Sequence, residues 1–118
     1  MTEATLTRKI IQYLRCQGCL VLKWYGSPYG VGGIPDIYAL IPASPYPIPC
    51  HIEVKMPGNT PTARQYAMLR ALRNIGALAF WTDDMLDVHY MLTCVDGGKT
   101  AEEFLNEDFR IYRQGRSE

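Results

Sequence analysis

The chain has 118 residues, of which 47% are apolar, and its formal net charge at pH 7 is zero. This length predicts one domain with enough apolar residues for a core. It has neither the long apolar run of a membrane-spanning helix nor a basic and then apolar signal sequence at its start, so we expect an intracellular, cytoplasmic protein without a membrane segment.

The charges are unevenly distributed along the chain. Residues 1–75 have eight basic and three acidic side chains, a net charge of +5, whereas residues 76–118 have four basic and nine acidic ones, a net charge of −5. A basic half is typical of proteins that bind phosphodiesters, because phosphate contacts supply much of the affinity. The alternative is a chance fluctuation in a short chain. The acids of the basic half are Glu3, Asp36 and Glu53.

The first predicted helix covers residues 3–17. Thr2 can cap its start, Gly18 can end it, and apolar residues recur between them at helical spacing. Glu3 lies in the first turn, where an acid can simply complement the helix dipole. Residues 19–25 are rich in Leu, Val and aromatic side chains and predict the first strand.

A glycine-rich loop follows at residues 26–33. Such a loop allows close approach of a phosphate backbone, and Lys23 and Tyr29 beside or within it are candidate DNA contacts. The glycine spacing matches neither a P-loop nor a dinucleotide-binding fingerprint, so no nucleotide cofactor is expected.

Two strands are predicted at residues 36–41 and 50–56, and the four prolines between them predict an irregular loop. Asp36 begins the second strand. Glu53 and Lys55 alternate with apolar residues in the third, so their side chains should leave the same face. If the two strands pair, the carboxylates of Asp36 and Glu53 meet beside the Lys55 ammonium. Taken singly, each is also an ordinary residue for a strand start or a half-buried strand.

The remaining elements are a helix, a strand and a second helix. Thr60 as N-cap and Pro61 at the first helical position predict a helix that ends at Gly76, with Arg64 and Arg70 as candidate phosphate contacts. Residues 77–81 predict a buried strand. A helix capped at Thr82 follows, and residues 100–105 and 108–112 predict a short helix and an edge strand.

Pro35-Asp36 followed by Glu53-x-Lys55 resembles the motif of the PD-(D/E)xK nuclease superfamily. A closer resemblance is to its VRR-NUC (virus-type replication-repair nuclease) family. That resemblance depends on Glu3, Gly33-Ile34-Pro35-Asp36, Ile52-Glu53-Val54-Lys55 with Pro57-Gly58, Thr60 to Gln65, and Gly76. It covers about residues 2–92 of a single domain, 1–118, and leaves residues 93–118 as a C-terminal extension.

The resemblance implies an α/β fold with a restriction-endonuclease-like core, in which helices flank a central mixed β-sheet of about four strands in the order αβββαβ. It also implies a metal-dependent, structure-selective DNA endonuclease, best matched by a homodimeric enzyme of phage or bacterial DNA repair that resolves Holliday (four-way) junctions. The alternatives are a flap, nicking or end-processing nuclease that acts with partner proteins, and a non-catalytic DNA-binding module of the same fold.

Roles for the site residues follow from the same resemblance and from the ligand preferences of magnesium. Mg²⁺, or Mn²⁺ in its place, would be held by the Asp36 and Glu53 carboxylates and the Val54 carbonyl. Lys55 would orient or deprotonate the attacking water, or stabilise the pentavalent phosphate. Gln65 would orient a water or a phosphate oxygen, and Glu3 would help to hold a second ion or an ordered water.

Two other groups of possible metal ligands are weaker candidates. Cys16 and Cys19 have the spacing of half a zinc site, but nothing in the sequence completes it, so we interpret Cys16 as the end of a helix and Cys19 as a buried strand residue. Asp83 and Asp84 are interpreted as helix-start residues and His89 as a helix-face residue.

Overall fold

A computed structural model describes residues 2–23 and 32–98. Their elements are, in chain order, α1 (Glu3–Cys16), β1 (Leu20–Lys23), β2 (Ile37–Ile41), β3 (Ile48–Val54), α2 (Ala63–Asn74), β4 (Leu78–Thr82) and α3 (Met85–Asp96). The α/β class and the predicted order αβββαβ are confirmed, with α3 following the core.

The four strands form one mixed sheet in the order β1-β2-β3-β4. β1, β2 and β3 pair antiparallel, whereas β3 and β4 pair parallel. The parallel pairing follows from α2, which crosses over between β3 and β4 and returns the chain to the same end of the sheet. Because Ile37 pairs with Ile52, the residues just before β2 lie beside the end of β3.

Helices cover much of this sheet. α1 packs against β1, β2, β3 and α3, while α2 and α3 both pack against β4. β4 is consequently buried at all five of its residues, as its apolar sequence predicted. Ile10, Leu14, Ile52 and Phe80 are fully buried and join the helices to the sheet in one core.

The predictions for one loop and for two helix starts were wrong. β3 begins at Ile48 and contains Pro49, although the prolines predicted an irregular loop to this point. Pro49 lies opposite Leu40 of β2, and β4 pairs with β3 only from Cys50 onward, so the missing proline N–H faces no second strand.

The starts of α2 and α3 are also later than predicted. Thr62, not Thr60, is the N-cap of α2, because its hydroxyl accepts from the Gln65 N–H while the Gln65 side chain accepts from the Thr62 N–H. Thr82 is the last residue of β4, and Asp84 caps α3 by accepting from the Leu86 N–H.

The interpretation of the cysteine pair is confirmed for Cys16 and for the burial of Cys19, but Cys19 directly precedes β1 and does not belong to it. Cys16 is the last residue of α1, Gly18 follows with a φ of +89°, and Cys19 is a buried free thiol. The elements predicted at residues 100–105 and 108–112 lie outside the described residues, as does Tyr29. None of the described helices has the length and apolar character needed to cross a membrane.

Candidate active site

Asp36 and Glu53 are brought together by the pairing of β2 with β3. Asp36 directly precedes β2, and Glu53 is the second-last residue of β3. Asp36 Oδ2 accepts a hydrogen bond of 3.1 Å from the Val54 N–H. This bond fixes the Asp36 carboxylate at the end of β3, beside the position where Glu53 and Lys55 leave the strand.

Glu53 is the most unusual side chain of the site because it is an acid with only 2% of its surface exposed. Its Oε2 accepts from Gln65 Nε2 at 3.2 Å and lies 4.0 Å from Lys55 Nζ. Its Oε1 is buried and has no hydrogen-bond partner among the described residues. A buried carboxylate oxygen without a partner is costly, so this position favours a proton or a cation.

The electrostatic surroundings of Glu53 lead to the same conclusion. Burial, together with the negative charge of Asp36, raises the pKa of Glu53 to about 9, while the Lys55 ammonium opposes the shift. The proximity of the Asp36 carboxyl group and the charge of Glu3 raise this pKa further. The described side chains around Glu53 therefore favour its protonated form in the absence of a cation.

Lys55 lies at the edge of this group. Its N–H donates to the Thr82 carbonyl at 2.9 Å, which continues the β3–β4 pairing one residue beyond the strand. Its ammonium approaches Glu53, so the two side chains share a face as the alternation predicted. The Lys55 side chain keeps 14% of its surface exposed and can meet a ligand from solvent.

Gln65 connects the start of α2 to the site. Its Oε1 accepts from the Thr62 N–H at 2.9 Å, and its Nε2 donates to Glu53. One amide therefore both caps the helix and holds a buried carboxylate, because the helix begins close to the end of β3. The sequence predicted that Gln65 faces the site. It did not predict that the same amide both caps the helix and bonds Glu53.

Glu3 lies in the first turn of α1, close enough for its charge to act on Glu53. Among residues 2–23 and 32–98, no three Asp, Glu, His or Cys side chains form a ready metal-ligand cluster. The part of the site that the structure describes thus offers the carboxylates of Asp36 and Glu53, with Glu3 acting at longer range.

These two carboxylates fit a hard divalent cation. Mg²⁺ and Mn²⁺ prefer oxygen ligands, and Mg²⁺ commonly binds through only one or two carboxylates and keeps several waters. The unpartnered Glu53 Oε1 and the mutual repulsion of the acids are the observations that favour such an ion. Asp36 and Glu53 are the residues that could hold it, with the Val54 carbonyl as a third oxygen.

A turn at Gly32 and Gly33, shortly before Asp36, lies against Arg64 in the first turn of α2. Gly33 has a φ of +82°, and a Cβ there would lie 2.8 Å from the Arg64 carbonyl oxygen. A Cβ on Gly32 would lie 2.5 Å from Arg64 Nη1. The contact at Gly32 is with a flexible side chain, whereas the contact at Gly33 is with backbone, so the close approach requires glycine at Gly33.

Three of the predicted DNA contacts lie in the described part of the chain. Lys23 is exposed at the end of β1, and Arg64 and Arg70 are exposed on α2. The sequence analysis did not select Arg8 and Arg15, which line a groove beside α1 together with Lys23. Their spacing of two helical turns with Gln12 between them was the signal that could have identified them.

The residues excluded as metal ligands have structural roles. Asp84 caps α3, and the His89 ring stacks on Tyr13 with 4.0 Å between ring centroids. Asp84 therefore starts a helix and His89 lies on one, as the sequence indicated.

A structural comparison assigns the class of this fold. The chain is similar to a solved structure described as a VRR_NUC domain, with a TM-score of 0.61 and 20% sequence identity, over 84% of this chain and the whole of that one. No family model matches the sequence. The comparison with curated proteins also found no match.

At this level of identity the similarity concerns the fold. The chain has the nuclease-type α/β fold of a VRR_NUC domain, with a four-stranded mixed sheet and three described helices, so the resemblance inferred from the motifs is confirmed for the fold.

Proposed function

We propose that this protein is a metal-dependent, structure-selective DNA endonuclease, and that a homodimer of it resolves four-way junctions. The observation that carries the proposal is the buried Glu53 carboxylate. It lies beside Asp36 and Lys55 at one end of the sheet, and one of its oxygens has no partner in the described part of the chain. The VRR_NUC-type fold and the basic first 75 residues support the same function.

The proposed metal ligands are Asp36, Glu53 and the Val54 carbonyl, with Mg²⁺ as the natural ion and Mn²⁺ as a substitute. The bound ion would supply Lewis-acid stabilisation of the phosphate charge and acidify the attacking water. The chain's own hydrogen bonds fix the positions of the two carboxylates that would bind the ion. The Val54 N–H fixes Asp36, and the Gln65 amide fixes Glu53.

Lys55 is proposed to act on the substrate directly. Its ammonium lies 4.0 Å from a Glu53 oxygen and remains partly exposed, so it can contact a phosphate oxygen or the attacking water from the solvent side. Gln65 and Glu3 are proposed to be positioning residues: Gln65 through its hydrogen bond to Glu53, and Glu3 through its negative charge.

The junction substrate and the dimer form the finer part of the proposal. A single small domain without a sequence-reading module favours DNA shape over sequence. Two symmetric cuts in a four-way junction are naturally made by a two-fold dimer. The proposed dimer is supported by β1, which is an edge strand of the described sheet and has two exposed apolar side chains. Leu20 is 60% exposed and Leu22 is 56% exposed.

The test is cleavage of a labelled four-way junction, a matched flap and a plain duplex, with Mg²⁺, with Mn²⁺ and with chelator. The variants are Asp36→Asn and Lys55→Ala, and the matched controls are Asp96→Asn and Lys9→Ala, which remove the same charges from exposed positions outside the site. Light scattering on the same samples measures the number of chains per particle.

We expect paired, metal-dependent cuts in the junction, lost in both site variants and kept in both controls, from a particle of two chains. Preferred cutting of the flap would replace the junction assignment by a flap nuclease. DNA binding without cutting of any substrate would reject the enzyme and leave a DNA-binding module.

A further inference from the structure

A groove of about 370 Å³ lies between α1 and β1, outside the carboxylate site. Its charged and polar side chains come from one stripe of α1 and from the end of β1: Thr7, Arg8, Gln12, Arg15 and Lys23. Every charged residue that lines it is basic. The groove is therefore a concave cationic surface on a protein with no net charge.

Arg8 and Arg15 are available to a ligand in different ways. Arg8 is exposed and has no ion pair or hydrogen bond with any described residue. Arg15 Nη2 donates to the Val21 carbonyl at 3.0 Å, which holds its guanidinium against the strand. A guanidinium has five N–H donors, so most of those of Arg15 remain for an anion.

The spacing of these two arginines suits an extended anion. They are seven residues apart on one helix, which corresponds to about 10 Å along its axis. This is about three times the 3.4 Å rise between successive nucleotides of one DNA strand. A small anion would meet one arginine, whereas a nucleic-acid backbone can meet both.

One end of the groove lies toward the candidate active site. α1 begins at Glu3, whose charge acts on Glu53, and the groove follows α1 from Ala4 to Arg15. At the same end, Lys23 pairs with Ile37, the residue after Asp36. A DNA strand that lies in the groove would therefore extend toward the end of the sheet that holds the carboxylates.

We propose that the α1–β1 groove binds the sugar-phosphate backbone of DNA next to the phosphate to be cut, with Arg8 and Arg15 as phosphate contacts. This inference rests on the proposed function, and it assigns DNA binding to a face of the molecule different from that of Arg64 and Arg70 on α2. Polar Thr7 and Gln12 between the cations suit a solvated backbone better than an apolar ligand.

The experiment measures binding of a fluorescent four-way junction and a fluorescent duplex over a range of salt concentrations, with chelator present so that no cutting occurs. The variant is Arg8→Gln combined with Arg15→Gln. The control is Lys9→Gln, which removes a charge from the exposed side of α1 that does not line the groove. A second variant, Arg8→Lys with Arg15→Lys, restores charge, and thermal melting confirms that each protein folds.

We expect the glutamine variant to bind both DNAs about tenfold or more weakly at 0.1 M salt. The slope of log affinity against log salt concentration (the salt slope) should be smaller in magnitude by about two, one for each lost phosphate contact. The lysine variant should recover much of the slope, and Lys9→Gln should leave it unchanged. A folded glutamine variant with the affinity and slope of the unchanged protein would overturn the proposal.

Failure of the proposed function gives a different result. If the unchanged protein binds DNA with the predicted arginine dependence but cuts nothing in Mg²⁺, the groove assignment stands and the nuclease fails. If it cuts DNA and the arginines do not affect binding, the nuclease stands and the groove assignment fails.

Discussion

The surroundings of the Glu53 side chain match those expected of a metal ligand. Its carboxyl group is buried beside Asp36 and within electrostatic range of Glu3. Among the described residues, Lys55 alone opposes the shift of its pKa to about 9. The arrangement is costly for an isolated protein, since the acids repel each other, and it becomes favourable when a cation joins them.

The raised pKa of Glu53 predicts a pH-dependent stability in the absence of metal. The folded protein holds the Glu53 proton up to about pH 9, whereas the unfolded chain loses it near the ordinary value of 4.5. The folded state thus binds more protons between these pH values, so the free energy of unfolding should fall as pH rises through this window, by up to about 1.4 kcal/mol per unit.

Urea unfolding at several pH values in chelator measures this dependence. Glu53→Gln should reduce the slope and leave a more stable protein at pH 8, while Asp96→Asn, an exposed control, should keep the slope. Equal slopes for Glu53→Gln and the unchanged protein would show that Glu53 is ionised in the folded state.

At the level of secondary-structure elements, two local structures hold the site: the start of α2 and the turn before β2. The Gln65 amide belongs to the capping box of α2 and also bonds Glu53, so the helix start and the carboxylate are fixed together. The Gly32–Gly33 turn contacts Arg64 of the same helix, and Asp36 follows Gly33 by three residues.

The double role of Gln65 predicts different effects for two capping variants. Gln65→Ala and Thr62→Ala should each destabilise the protein by about 1 kcal/mol, because each removes half of the capping box. Only Gln65→Ala also removes the hydrogen bond to Glu53. We therefore expect a weaker Mg²⁺ affinity for Gln65→Ala alone, measured by titration calorimetry; the same affinity for both variants would contradict the positioning role.

The turn predicts that alanine substitutions at Gly33 and Gly58 destabilise the protein to different extents, although both glycines have a left-handed backbone conformation. Gly33 has a φ of +82°, and a Cβ at this residue would lie 2.8 Å from the Arg64 carbonyl oxygen. Gly58 has a φ of +94°, and a Cβ there would meet nothing within 4 Å. Gly58→Ala should cost about 1–3 kcal/mol from backbone strain. Gly33→Ala should cost more, since the Arg64 carbonyl must also move.

Chemical unfolding of both alanine variants measures this difference, and cleavage activity provides a second readout. We expect Gly33→Ala to lose activity through displacement of Asp36 and Gly58→Ala to retain it. Equal destabilisation by the two substitutions would mean that α2 does not restrict the turn.

For the molecule as a whole, a cation at the site should couple metal binding to folding. A ligand that binds only the folded state stabilises it by about 2.7 kcal/mol at a hundred times its Kd. The melting temperature of the unchanged protein should therefore rise with Mg²⁺ concentration and rise less, or not at all, for Asp36→Asn. Asp96→Asn, an exposed acid outside the pair, should respond like the unchanged protein.

Differential scanning calorimetry in Mg²⁺ and in chelator makes this measurement without DNA. An equal rise for Asp36→Asn and the unchanged protein would place the bound ion elsewhere. The result is independent of substrate, so it separates metal binding from DNA recognition and from cutting.

The order of the elements and the residues of interest could be predicted from the sequence. Apolar periodicity identified α1, and a nearly continuous apolar run identified the buried β4. The alternation around Glu53 and Lys55 placed both side chains on one face, because such patterns depend only on the local geometry of helices and strands. The motif spacing also indicated the VRR_NUC-type fold.

The environment of each side chain, in contrast, depends on the packed fold. The burial of Glu53, its bond to Gln65 and the hydrogen bond from Val54 to Asp36 join segments distant in sequence, so no local pattern contains them. The same applies to the groove lined by Arg8 and Arg15, since α1 forms one wall and β1 the other. The helix starts, by contrast, depend on local hydrogen bonds, between Thr62 and Gln65 and between Asp84 and Leu86, which a sequence pattern can contain.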